Sequence, residues 1–91
     1  MKYRATVTFE YTDNEGCKVA QEYEHVLTSL EFAKRWVRCF GCPEPELNKD
    51  GQYRSQEVYA TKYASDNVLK CVIRPGHYIQ GTIRSKNYYR R

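Results

Sequence analysis

Two cysteines with two residues between them, Cys39 and Cys42 in Val-Arg-Cys-Phe-Gly-Cys-Pro, form the spacing in this 91-residue sequence most suggestive of chemistry. C-x2-C is half of a tetrahedral zinc site. A second tight pair is missing, since Cys17 and Cys71 lie far apart and Cys71 with His77 has an unusual spacing. A thioredoxin-like pair places its first cysteine at a helix N-terminus, where the dipole lowers the thiol pKa. Here Gly41 and Pro43 are a helix stop, so the dipole at Cys39 opposes a thiolate. The pattern instead gives all four cysteines positions that suit a small apolar residue. Cys42 becomes the residue that folds back onto the last helical turn near Val37, and Cys17 and Cys71 face inward on strands. A zinc-stabilised domain stays as an alternative; the reading itself assigns no metal and no cofactor.

Other catalytic constellations do not form in the sequence. His25 falls near a strand end and His77 in a turn, neither with a nucleophile close by in sequence. The chain contains no glycine-rich phosphate loop, no H-E-x-x-H and no nucleophile elbow. Its carboxylates fall on solvated strand faces and loops. The expectation is a protein that binds rather than one that catalyses.

The elements follow from periodicity. From Lys2 to Tyr11 the odd positions are apolar and the even ones polar, which is a strand with one buried face. Asp13-Asn14-Glu15-Gly16 supplies turn residues, and Cys17 to Val26 reads as the second arm of a hairpin. Thr28-Ser29-Leu30-Glu31 matches a capping box with Thr28 as the cap. Phe32, Ala33, Trp36, Val37 and Phe40 then fall on one helical stripe, leaving Lys34, Arg35 and Arg38 outside it. Residues 42–52 lack periodicity. Residues 53–63 fit a helix face or a strand, and their Tyr and β-branched content favours the strand. Val68 to Arg74 alternates with Leu69, Cys71 and Ile73 inward. Arg74-Pro75-Gly76-His77 reads as a type II turn into a last strand, Tyr78 to Arg84, with Ile79 and Ile83 inward and a bulge at Gly81. The predicted fold is α+β in the order ββαβββ: an antiparallel sheet of four to five strands with one helix on one face. Residues 1–91 form a single domain, with 85–91 a basic tail. The other sheet face carries Lys2, Arg4, Lys70, Arg74, Gln80 and Arg84 against Glu10, Glu22 and Glu24.

Charge is uneven along the chain. Residues 1–66 hold nine Lys/Arg against eleven Asp/Glu, whereas residues 67–91 hold six Lys/Arg and no acid. Such asymmetry points to an acidic partner for the C-terminal third. Basic residues interleaved with Tyr78, Tyr88 and Tyr89 suit phosphates and stacked bases. Tyrosine-rich surface suits a protein interface equally well. The alternating start reads as strand rather than signal peptide, no run reaches membrane-spanning length, and the expected setting is cytoplasmic and reducing.

The hairpin leading into Thr28-Ser29-Leu30-Glu31-Phe32-Ala33-Lys34-Arg35 resembles the hairpin and S-L-x-x-A-K-R helix of some small phage-encoded anti-CRISPR proteins, over about a third of the chain. The resemblance implies a non-enzymatic inhibitor that docks on a bacterial nucleoprotein complex, with Lys34 and Arg35 matching the motif. The candidate partner-binding residues are therefore Lys34, Arg35, Arg38, Arg84, Lys86, Tyr88, Tyr89 and Arg90. The expected partner is a bacterial protein or nucleoprotein complex, with nucleic-acid contact possible and no membrane. A direct nucleic-acid-binding module is the alternative.

Overall fold

The structure is a computed structural model that describes residues 1–79 and the backbone of residues 84–90. Strands β1 (Lys2–Thr12) and β2 (Lys18–Leu27) open the chain, followed by helix α1 (Leu30–Cys39). A two-residue strand β3 (Glu46–Leu47) precedes β4 (Tyr53–Tyr59), β5 (Asn67–Gly76) and β6 (Arg84–Arg90). The sheet order is β3-β4-β5-β1-β2-β6, every neighbouring pair antiparallel. The α+β class holds; four strands lie where the sequence places them, the fifth is Arg84–Arg90 rather than Tyr78–Arg84, and the short β3 is added at an edge.

Period-two alternation does most of the positioning. Ala5 and Val7 of β1, Leu69, Cys71 and Ile73 of β5, and Ala33 and Val37 of α1 form the buried core. Phe9, Tyr23, Trp36 and Phe40 close its margin, with Trp36 and Phe40 edge to face at 4.9 Å. The first hairpin turns where the sequence places it. Asp13 Oδ1 accepts from the Glu15 and Cys17 amides, each at 2.9 Å, and Gly16 takes φ +80°, the left-handed region open to glycine. Asn67 is a buried polar residue that pins the far end of the sheet. Its Oδ1 accepts from the Thr12 amide at 3.0 Å, and its Nδ2 donates to Thr61 Oγ1 and the Ala64 carbonyl, both at 3.2 Å.

The helix ends as expected and begins one residue late. Gly41 is left-handed at φ +95° and its amide donates to the Arg38 carbonyl, so the stop is the predicted one. The cap is Ser29 rather than Thr28: its extended backbone lets Oγ accept from the Phe32 amide at 3.1 Å. That shift removes the predicted capping box, because Glu31 is no longer the third helical residue. Phe32, read as part of the buried stripe, is half exposed, and Trp36 is half-buried against His25.

The C-terminal third departs most from expectation. Residues 53–59 are strand, but Pro75 and Gly76 do not turn; β5 runs through them, and Gly76 lacks the positive φ a type II turn demands there. The pairing explains why proline is tolerated. β4 meets β5 no further than Ile73, so beyond it β5 is hydrogen-bonded on one side only. Ile79, expected inward, is 92% exposed. The segment read as a tail is instead β6, an edge strand whose Arg84–Arg90 backbone pairs with Lys18–Glu24 of β2. Ile83, Gln80 and the Gly81 bulge lie outside the described residues.

Candidate functional site

Helix α1 packs on β1, β2 and β5 and covers one face of the sheet; the opposite face has no element over it among the described residues. Register fixes who stands there. Level rows cross the strands as Arg74–Arg4–Val26, then Glu46–Arg54–Val72–Thr6–Glu24–Arg84, then Gln56–Lys70–Thr8–Glu22–Lys86, then Val58–Val68–Glu10–Ala20–Tyr88. Lys2 stands level with Gly76 at one end of the face, Lys18 with Arg90 at the other.

Counted by row, the open face holds nine of the fifteen basic residues: Lys2, Arg4, Lys18, Arg54, Lys70, Arg74, Arg84, Lys86 and Arg90. Four of the eleven acids, Glu10, Glu22, Glu24 and Glu46, share it. The face is thus net +5 on a chain of net +4, and the remainder of the molecule is acidic. A flat surface of Thr, Val and cations fixed on a hydrogen-bonded sheet is suited to docking an extended anion. Part of the charge is neutralised locally. Arg4 pairs with Glu24, Lys70 with Glu10 at 3.1 Å and Lys18 with Asp66 at 3.7 Å. Lys2, Arg54 and Arg74 have no ion-pair partner among the described residues.

The predicted binding residues divide between the two sides of this sheet. Lys34, Arg35 and Arg38 lie on α1, over the covered face. Two of them turn onto the following loop: Lys34 Nζ is 3.3 Å and Arg38 Nη1 3.4 Å from Glu44, and Lys34 also sits 5.4 Å over the Tyr53 ring. Arg35 remains exposed. In β6 the register separates Arg84, Lys86, Tyr88 and Arg90, in the rows of the open face, from Tyr89, level with Val19 in a row of the covered face. Sequence reasoning missed Arg54 and the register of β6. The signal for Arg54 was its level pairing with Val72, invisible until β4 is placed.

The cysteines do not behave as a set of four. Cys42 and Cys71 are buried in the core, Cys17 is half-buried in the hairpin turn, and Cys39 is exposed. The expectation of four packing thiols is corrected at Cys17 and Cys39. Cys17 precedes β2 and donates its amide to Asp13, and Cys39 falls off the helical stripe. Cys71 accepts a hydrogen bond from the Cys42 thiol and lies 2.7 Å from Ser55 Oγ. The Cys42 hydrogen bond, joined by those from Ser55, holds the Cys71 thiol down at about 7 despite burial. The same contact, with burial, pushes Cys42 well up. Among the described residues, the three side chains that converge with metal-ligand character, Asp13, Glu15 and Cys17, sit in the hairpin turn, where Asp13 is already engaged by two amides.

Comparison of the chain with protein-family models, curated proteins and solved structures finds no match. No helix among the described residues is long and apolar enough to cross a membrane.

Proposed function

We propose that this protein is a non-enzymatic docking module that presents its open sheet face to the polyanionic surface of a bacterial nucleoprotein complex. The observation that supports the reading is the concentration of nine basic residues on the one uncovered face, while the rest of the molecule is net acidic. A chain that only needed solubility would mix both signs over its surface. The resemblance of the hairpin and Ser29-Leu30 helix to anti-CRISPR proteins adds the partner class: a CRISPR-type effector complex in the bacterial cytoplasm, whose access to nucleic acid the docked protein blocks. On this reading the sheet face, with Arg84, Lys86 and Arg90 in its rows, contributes more than Lys34 and Arg38, whose charge is shared with Glu44.

The test uses purified, guide-loaded CRISPR effector complex and measures its binding to labelled target DNA. The parent protein is expected to suppress that binding, a Lys2→Glu/Arg74→Glu variant to lose suppression, and Arg35→Glu to retain it. Equal potency of the parent and the sheet-face variant would sink the reading.

A further inference from the structure

One end of the open face has a construction the rest lacks. A Cβ on Gly76 would point to the open face, as Arg74 does two residues earlier, and would meet the Tyr78 ring at 2.9 Å. The absent side chain therefore leaves the space in which Tyr78 folds back over the end of β5. Across the ladder from Gly76 stands Lys2, and across from Arg74 stands Arg4. Glu24 above all, with Tyr78 adding to it, holds the Arg4 guanidinium more firmly protonated. An aromatic ring thus stands over the end of β5, where Lys2, Arg4 and Arg74 occupy neighbouring ladder positions of β1 and β5.

The arrangement is costly without a ligand. Arg4 and Arg74 are directly opposite like charges, a pairing that destabilises a sheet. Glu24 relieves Arg4, while Arg74 and Lys2 have no carboxylate partner among the described residues. An acidic protein surface would satisfy the cations and leave the ring unused. A nucleotide uses both, its phosphate between the cations and its base on the aromatic face.

We infer that Lys2, Arg4, Arg74 and Tyr78 form a binding site for single-stranded nucleic acid, the cations taking a phosphodiester and Tyr78 stacking a base. The inference rests on the open face being the docking surface, and it names what that face touches in its partner. Arg54 and Lys70, further along the same face, continue the track for neighbouring phosphates.

Binding is measured by fluorescence anisotropy with labelled oligothymidylate, and with polyglutamate as an anion that has carboxylates and no bases. Intact folding of each variant is checked by its circular dichroism and melting temperature. The parent is expected to bind oligothymidylate more tightly than polyglutamate. Tyr78→Ala should weaken the oligonucleotide about five-fold or more and leave polyglutamate unchanged, while Tyr78→Phe, which keeps the ring, binds as the parent does. Arg74→Gln should lower the slope of log affinity against log salt by about one. Oligothymidylate binding indifferent to both Tyr78→Ala and Arg74→Gln overturns the inference. Tight, Arg74-dependent binding of polyglutamate without oligothymidylate binding also overturns it, yet leaves the docking reading standing. If neither polymer responds to Lys2→Glu/Arg74→Glu, both fall together.

Discussion

The two faces of one sheet are built from the same strands, residue by residue in alternation, and they solve opposite problems. On the covered face, Ala5, Val7, Cys71 and Ile73 interlock with Ala33 and Val37, all at 1% exposure or less. On the open face, one residue along each strand, Thr6, Val72 and Arg74 stay half-exposed, and cations outnumber carboxylates. The hydrogen-bonded ladder is shared, so a residue's consequence depends on parity: odd positions in β1 and β5 hold the fold, even positions hold charge in fixed rows. Stability and binding are thereby separable by single substitutions.

The sharpest break in that comparison is at Ile73 against Val72. Ile73→Ala empties a fully buried site between β4 and β1 and should cost about 2–5 kcal/mol, a large share of what a domain of this size has. Val72→Ala, its neighbour on the other face, should cost far less. Urea denaturation of both reads the difference; equal losses would mean that the open face is also packed.

A smaller effect tests the polar exception on the covered side. Asn67→Ala removes the acceptor of the Thr12 amide and both donors into the 60–66 loop. Stranding one buried donor costs about 1–3 kcal/mol, and hydrogen exchange should speed at Thr12 before it does in the middle of β1.

How much of this was legible depends on whether local pattern or distant pairing decides a residue. Alternation in β1 and β5 needs only one apolar face, so the core and most open-face residues could be read directly. The helix stop at Gly41 is equally local, because few residues take φ +95°. The start was not, since Thr28 and Ser29 are both good caps and adjacent. β6 could not be read because Arg84–Arg90 pairs at the sheet edge, where no apolar alternation is needed; its register comes from β2, more than fifty residues earlier. Pro75 misled for a similar reason: a proline marks a turn unless the neighbouring strand has already ended. The charged face was visible in the even positions, but not the Tyr78 ring over Gly76, which depends on the path after β5.

The buried thiols give a pH signature confined to the covered face. Folded Cys71 loses its proton at about 7, below the ordinary value of 9.0, while Cys42 is raised. Between these two values the unfolded thiols still hold protons that the folded pair has partly released, so stability should rise with pH across that window. Above it the unfolded chain gives up both protons while folded Cys42 keeps its own, and stability should fall. Melting temperature against pH should show this rise and fall in the parent and lose it in Cys71→Ser. The same curve in both would assign it to other groups.

The smallest expected effect separates the faces most cleanly because its two readouts move in opposite directions. Arg74→Glu replaces a like-charge cross-strand pair with an opposite-charge one against Arg4. Cross-strand pairs of this kind are worth about 0.2–1 kcal/mol, so the variant should be slightly more stable than the parent, and Arg74→Gln should fall between them. No substitution in the covered core should do this, since shrinking or charging a packed position only costs. Affinity for oligothymidylate should follow the reverse order, parent above Gln above Glu, because the repulsion relieved by the carboxylate is what a phosphate relieves when bound. The trend should flatten in high salt, where both the repulsion and the phosphate contact are screened. A variant that loses stability together with affinity would show that Arg74 packs rather than binds, and the division of labour between the faces would fail at the row where two arginines stand opposite each other.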